Sequence, residues 1–569
     1  MEQQRFLLAM ILSGLVIFVW QIFFVPPPEE EIAVDDEDVV VEEQLDPAEE
    51  PEVEEPQPDP EEIVDVDPEE LAEPDEVVED VPEIEERVDR IRTGRFDVKL
   101  SNRGAVVADV RITAPDQYSG EGGELMRAFE EAAPDWPYSL DFVDGNIDVA
   151  PDQLYEVVEE QSTLAADGES YKKITYRHTH PGGHYAVDKI YSIDEDRHYT
   201  LSLDVEVHNL LDEDGVRLAG KPILNIIGRD DPDKETAFFD FRPDVLEGAC
   251  HTTDGTEREV FDNLENTETF DAHSVLWAAA DTRYFIMAAL PIDPAEACVF
   301  ESAGEDYLRV RLEHSSFTID PSESWSMGHR LYMGPKDFDI LRDTGHELQE
   351  AVDYGLFTVL ARPLRWALAG LYGFTHNWGL AIILLTFFIK GITWPITGKA
   401  YTSAERMKKI QPIIKEIREK YENDQQRMTE ETMKAFKEND VSPLGCLPLL
   451  LQMPILYGLF VMIYNSVELY QAEFLWYADL SAPDPWFILP VVMGGVMFVQ
   501  QRITMSTAAT TNPQMMIVMK VMPVAFTAFM LFLPAGLVLY YLLNLLMGLG
   551  QQFLIKRRFR LAEEAGEDI

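Results

Sequence analysis

Two kinds of hydrophobic pattern divide this chain. From about Val88 to Lys336, apolar and polar residues alternate in short runs. Phe96–Leu100, Ala105–Ile112, Lys172–Tyr176, Tyr185–Ile193, Tyr199–Val207 and Leu308–Leu312 show the period of two, or the β-branched enrichment, of half-buried strands. Gly, Pro, Asp and Asn turns separate them, so the spacing predicts a sandwich of antiparallel sheets. Asp339 to Val352 reads as helix, and continuous apolar runs follow. Trp378–Ile396, Leu444–Tyr464, Trp486–Val499, Met515–Leu533 and Gly536–Leu554 each approach the roughly 20 residues that cross a bilayer. Near the start, Phe6–Val25 is apolar, follows Arg5 and lacks a small-residue cleavage site, which predicts an uncleaved anchor and a total of six spans. Leu356–Phe374 is different. It carries Arg362, Pro363 and Arg365, and two central cations are costly in hydrocarbon, so an amphipathic helix lying in the interface fits better.

Charge orients these elements. The 569 residues carry a formal net charge of −59, but the acid is unevenly spread. Between Pro26 and Glu86 there is no Lys or Arg, and such a Pro-rich acidic stretch repels itself into an extended tether. The loop after the first of the five later spans carries Lys399, Arg406, Lys408, Lys409, Lys415, Arg418, Lys420, Arg427, Lys434 and Lys437, whereas Glu468–Asp484 has no Lys or Arg. Lys556, Arg557, Arg558 and Arg560 close the last span. The positive-inside rule then puts both termini and the basic loop in the cytoplasm and the β domain outside. The expected order is an anchor (1–25), a tether (26–87), a β-sandwich domain (88–345), an interfacial helix region (346–375), a five-span core (376–555) and a short tail (556–569). Acid on the exterior also suits a saline habitat, where salt shortens the Debye length.

Candidate chemistry centres on Lys390, inside the first of the five spans and about 18 Å along the helix from Trp378. An intramembrane cation normally faces protein or a water-filled cavity. Thr386, Lys390, Thr393 and Thr397 fall at i, i+4, i+7 and i+11, one face of a helix, so one side of this span is expected to be wet or to meet something polar. The last span has its own stripe of Tyr540 or Tyr541, Asn544 and Gln551, while Gln452 and Gln500 add polar groups from other spans. Met493 and Met497 belong to a methionine-rich set that reads either as packing or as a deformable surface for varied apolar partners. In the basic loop, Met407, Ile410, Ile414, Ile417 and Tyr421 form a heptad seam, which with a second helix near Gln426–Lys437 predicts a helical hairpin over 399–440. Its cations Arg406, Lys408, Lys409, Lys415 and Arg418 suit either a solvated face or a docking arm.

Other features point away from catalysis. His178, His180 and His184 surround a Pro-Gly-Gly turn with no Cys or carboxylate placed to complete a ligand set, so no metal is expected. There is no phosphate-binding glycine loop and no nucleophile elbow, and neither an enzyme activity nor a cofactor is expected. Cys250 and Cys298 could pair outside the cell or remain free thiols.

Four stretches carry a family resemblance: NWGLAIILLTFFIKGITWPIT (Asn377–Thr397), SPLGCLPLLLQMPILYGLF (Ser442–Phe460), DLSAPDPWFILPVVMG (Asp479–Gly494) and FLPAGLVLYYLLNLL (Phe532–Leu546). In order, spacing and proline content this region resembles the YidC family of membrane-protein insertases, in its Gram-negative form with a large periplasmic domain. The resemblance implies a bacterial inner-membrane insertase and chaperone with a cytoplasm-open hydrophilic groove. Lys390 would hold the groove's positive charge, usually an arginine, with Thr386 one turn before it and Tyr541 lining the groove. It implies nascent membrane proteins, the Sec translocon and membrane lipids as partners, the ribosome and the signal recognition particle receptor as further candidates, and no direct nucleic-acid contact. The tail departs from long basic ribosome-binding tails, since Glu563, Glu564, Glu567 and Asp568 follow its few cations. Two other classes stay open on the residues alone. One is a solute transporter with a periplasmic receptor domain, and the other a carbohydrate-binding or carbohydrate-modifying module.

Overall fold

The computed structural model describes residues 84–565, apart from 116–117, 119–123, 127–135, 166–167, 194–197, 231–245, 265–267, 271–273, 305, 423, 440, 442–446 and 506–512. The expected anchor and nearly all of the tether lie outside the described residues.

Among the described residues, the first half is antiparallel β structure in three sheets of four, six and nine strands. Alternation decides which side chains enter the core. In Tyr307–Glu313, Leu308, Val310 and Leu312 are fully buried, while Arg309 and Arg311 turn outward to Glu301 and Glu313. This strand pairs with the long strand Leu218–Arg229 in the register Ile226 to Val310. The nine-stranded sheet is held at its middle by Ser324–Pro335, which pairs with Phe285–Pro291 on one side and Thr200–Asn209 on the other. Trp277, Phe300, Ile226 and Leu203 are among the fully buried core residues. Cys250 and Cys298, on strands of different sheets, are free and buried, and the Cys298 thiol is raised by burial and by its hydrogen bond with Cys250.

The structure adds two strands to those the alternation names and corrects one helix. Val275–Asp281 and Phe285–Pro291 are strands that alternation does not reveal, because both are alanine-rich and buried along most of their length. The helix expected over Asp339–Val352 is broken. Helix α1 (Phe338–Thr344) is capped by Asp337, whose side chain accepts from Asp339 N and Ile340 N. It stops where Gly345, His346 and Glu347 all adopt positive φ (93°, 54° and 58°), and a single 3-10 turn follows at Leu348–Ala351.

The second half is helical: α2 (Thr358–Thr375), α3 (Trp378–Lys420), α4 (Gln425–Glu438), α5 (Leu447–Tyr464), α6 (Ile488–Met505), α7 (Pro513–Met530) and α8 (Ala535–Ala565). Among the described residues, Trp378–Lys420 and Ala535–Ala562 are long and apolar enough to cross a membrane, and Gln452–Tyr464, Ile488–Ile503 and Val521–Met530 are shorter apolar helices. Helix α2 sits where the two halves meet. Its Arg365 is buried and bonds Asp339 (3.1 Å) and Glu468 (3.3 Å), while its guanidinium lies 4.4 Å from the centre of the Phe338 ring. Burial, aided by Asp337, pushes the Glu468 carboxyl up to about 7 against the pull of Arg365. Tyr284 of the β domain meets Tyr470 with ring centres 4.8 Å apart, and Arg283 lies 4.1 Å over the Tyr464 ring. The β domain is thereby fastened to the loop that follows α5.

Candidate functional site

Helix α3 begins at Asn377, whose side chain accepts from Leu380 N. Along its first five turns the usual soluble pattern is inverted. Leu380, Phe387, Phe388 and Ile392 are exposed, Phe388 to 59% and Ile392 to 61%, while Thr386, Lys390, Thr393 and Thr397 are all buried. Apolar side chains outside and polar ones inside is the arrangement that hydrocarbon selects. Thr386 and Thr393 satisfy themselves, Thr386 Oγ1 donating to Ile382 O (2.7 Å) and Thr393 to Ile389 O (3.0 Å), while the one hydroxyl hydrogen of Thr397 is shared between Thr393 O (3.0 Å) and Gln551 Oε1 (2.9 Å). Thr386 and Thr393 therefore need no partner from another helix to stay inside.

Lys390 has no such local remedy. Its side chain is 4% exposed, and among the described residues no hydrogen bond or salt bridge to it occurs. It points at α8. A Cβ added to Gly548 would stand 3.6 Å from Lys390 Nζ and 3.3 Å from Tyr401 Oη, so the bare glycine leaves the ammonium its room. Three residues on, Gln551 clasps the two helices. Its Nε2 donates to Trp394 O (2.9 Å) and its Oε1 accepts from Thr397 Oγ1 (2.9 Å). Gly398 makes the second space, since a Cβ there would meet Gln551 Nε2 at 3.2 Å. Gly548, Gly398 and Tyr401 escaped the sequence reading because what the glycines supply is an absence of atoms. Only their places opposite a polar stripe could have signalled it.

The other candidates fall into two groups. Tyr540, Tyr541 and Asn544 lie on α8, the helix that faces Lys390; Tyr540 is fully buried and accepts from Gln452 Nε2 of α5 (3.2 Å). Tyr541 is half-buried against Phe526, ring centres 5.1 Å apart, and Asn544 is buried one turn before Gly548. Met493, Met497 and Gln500 instead sit on α6. Met493 is fully enclosed in the helix packing, Met497 only partly.

Helix α3 runs unbroken past Pro395 and Pro412, so the first arm of the hairpin continues the Lys390 helix. Ile410 of the seam is buried, as is Ala435 of α4. The arm's cations are partly engaged. Lys408 bonds Glu405 (2.5 Å), Lys415 approaches Glu419 (3.8 Å) and Lys409 lies 5.7 Å over Phe559 of α8. Arg406 faces a cavity shared with α8, and Arg418 is exposed near the far end of the arm. In the β domain His180 stacks on His184 at 4.9 Å and also accepts from Gly182 N, which ties both to the turn. Asp188, Glu206 and His208 bring ligand atoms within 4.8 Å of one another, but Asp188 already takes two bonds from Arg177.

Residues 370–563 match the family profile described as 60Kd inner membrane protein, and residues 89–367 match the YidC periplasmic domain. The membrane protein insertase YidC of Syntrophus aciditrophicus is 33% identical over 434 residues, covering 75% of this chain and 77% of that protein. The chain belongs to the YidC family. The YidC insertase of Geotalea uraniireducens is also 33% identical, over 82% of this chain and 86% of its own length. A crystal structure of an active YidC insertase with its first transmembrane domain resolved is 18% identical, covers 82% of this chain and 94% of that one, and superposes with a TM-score of 0.35. As a YidC protein, this is a bacterial inner-membrane protein, and residues 89–367 are its periplasmic domain.

Proposed function

We propose that this insertase receives hydrophobic segments of nascent membrane proteins in a polar groove between α3 and α8, and that Lys390 is the charge that draws them in. What carries this reading is one buried ammonium on a threonine-lined face, without an acceptor among the described residues. A lysine offers three donors and strongly favours an acceptor when it is dry. Carboxylates in a client's translocated segment supply one. A polar groove also shortens the hydrocarbon that segment must cross, while Tyr541, Met497 and other apolar side chains receive the client helix beside it. The client then leaves sideways into lipid, driven by its own burial at about 0.8 kcal/mol per CH₂. No bond is made or broken.

The topology that goes with this reading has six spans, counting the N-terminal anchor, with the hairpin and both chain ends in the cytoplasm and the groove open to that side. Lysine distribution supports it, with ten Lys and Arg between Lys399 and Lys437 against none in Glu468–Asp484. On that topology the exposed Arg418 and Lys415 of the hairpin face the side on which a ribosome, a signal recognition particle receptor or the Sec translocon would dock. The test is insertion of a single-span client with an acidic external segment into liposomes holding the purified protein, scored by protease protection. Protection should require the protein, fall with Lys390→Ala and survive Lys390→Arg. Equal protection by the alanine variant for every client tried would remove the groove charge from the mechanism. Uptake of a small solute by the same vesicles would favour a transporter instead.

A further inference from the structure

A second basic site lies beside the groove. A cavity of about 520 Å³ opens between α3 and α8, walled by three cations, Lys399, Arg406 and Arg558, and by no carboxylate. On α3 its wall is the row Trp394, Gly398, Thr402 and Arg406, a different face from the row of Thr386, Lys390 and Thr397. Thr402 and Ser403 bring hydroxyls, and Gln551 an amide, to the same space. Leu554 and Ile555 join Trp394 as an apolar wall. The combination has a direction. Hydroxyls, an amide and cations together suit a phosphate, and an apolar flank on the same cavity suits a chain attached to it.

The depth fits too. Gly398 lies 20 residues after Trp378, and Ile555 lies 20 residues after Ala535. At 1.5 Å per residue both helices have then advanced about 30 Å, the thickness of the hydrocarbon core. Two helices running in the same direction thus bring the same cavity to the level of lipid phosphates. Arg406 lies further out, but helical side chains lean toward the N-terminus, which turns its guanidinium back toward that level. We propose that this cavity binds the phosphate of an anionic glycerophospholipid, with Lys399, Arg406 and Arg558 on the headgroup and Trp394, Leu554 and Ile555 along the first part of an acyl chain. Basic pockets between membrane helices at this level are suited to such headgroups. A free phosphate would leave the apolar wall unused. Beyond the cavity α8 stays helical to Ala565, which carries the backbone of Glu564 about 9 Å past Arg558 along the axis.

The site rests on α3 and α8 spanning the membrane, and its test reads bound lipid rather than insertion, so either reading can fail without the other. The full-length protein is stripped of lipid in detergent and titrated with phosphatidylglycerol or phosphatidylcholine, and adducts are counted by native mass spectrometry. One phosphatidylglycerol should persist where phosphatidylcholine is lost. The Lys399→Gln/Arg558→Gln double variant, at two exposed positions, should weaken that adduct by about thirtyfold. Arg406→Gln should weaken it alone by several-fold. Lys415→Gln/Lys434→Gln, which removes the same charge from the exposed arm, should leave it unchanged. Equal losses in both double variants, or none in either, would overturn the site. Displacement of the lipid by millimolar inorganic phosphate would reassign it to the free anion. Stronger lipid binding after Glu563→Gln/Glu564→Gln would make the tail its occupant.

Discussion

The β domain and the helical half each enclose a lysine. Lys189 is fully buried in the strand Tyr185–Ile193, and its Nζ donates to Gly104 O (3.0 Å) and Tyr138 O (2.9 Å). Gly104 and Tyr138 both have positive φ (71° and 62°), a backbone turn at the end of ladder pairing, so the lysine finishes carbonyls that strand hydrogen bonds leave over. Burial lowers its pKa to about 7, with the charge of Asp141 pulling the other way. Lys390 is 4% exposed, yet among the described residues nothing accepts from it. Burial is therefore not what marks a functional lysine. The partner set is the difference: Lys189 closes a structure, and Lys390 lacks an acceptor among the described residues, which is the place the proposed client carboxylate would take.

Replacing each lysine by methionine should separate the two roles. The largest effect is expected on insertion: Lys390→Met should cut protection of acidic clients about tenfold, equivalent to about 1.4 kcal/mol of lost attraction, while the melting temperature stays level or rises. A melting temperature that falls with activity would make Lys390 structural, like Lys189. Lys189→Met should do the reverse. Two buried carbonyls lose their donor, at about 1–3 kcal/mol each, and chemical denaturation should report a loss of about 3 kcal/mol with insertion by the folded protein intact.

A comparable acid effect belongs to the β domain alone. His314 and His329 are buried with Nε2 atoms 2.9 Å apart. Burial pushes His314 down to about 4, opposed by Glu296, and pushes His329 down as well. The unfolded chain takes up these protons near pH 6.5 and the folded one does not, so the contribution is whole above pH 6.5 and is lost as pH falls toward 4. About 3 kcal/mol should disappear over that window in denaturation curves, and His314→Asn should flatten the dependence. The smallest effect expected is at the clasp. Gln551→Leu removes the bonds to Thr397 and Trp394 O, and should cost about 1 kcal/mol and less than threefold in insertion.

The two halves also differ in how far the sequence alone reveals them. Helical period exposes Thr386, Lys390, Thr393 and Thr397 as one face because hydrocarbon punishes every stray polar group, so the stripe is sharp. The strand Tyr307–Glu313 is legible because only one of its faces is dry, whereas Phe96–Ser101 and Tyr185–Ile193 are buried on both faces and are legible by the alternation of the first and the aromatic and β-branched residues of the second. Val275–Asp281 is hidden because both its faces are covered and it is alanine-rich. What the pattern cannot carry is pairing at a distance. Arg365 looks like a surface cation of an interfacial helix until Asp339 and Glu468 meet it from either side. Gly548 looks like a weak point of the last span until Lys390 is found against it. Arg406 looks like part of a docking arm until α8 closes a cavity over it.

The attraction itself is best measured as a charge series. Clients identical except for zero, one, two or three aspartates in the translocated segment would be inserted by the wild type and by Lys390→Met in the same liposomes. The ratio of wild-type to variant insertion should begin near one and rise with each aspartate. A ratio that stays constant across the series would show that Lys390 does not act on the client's charge.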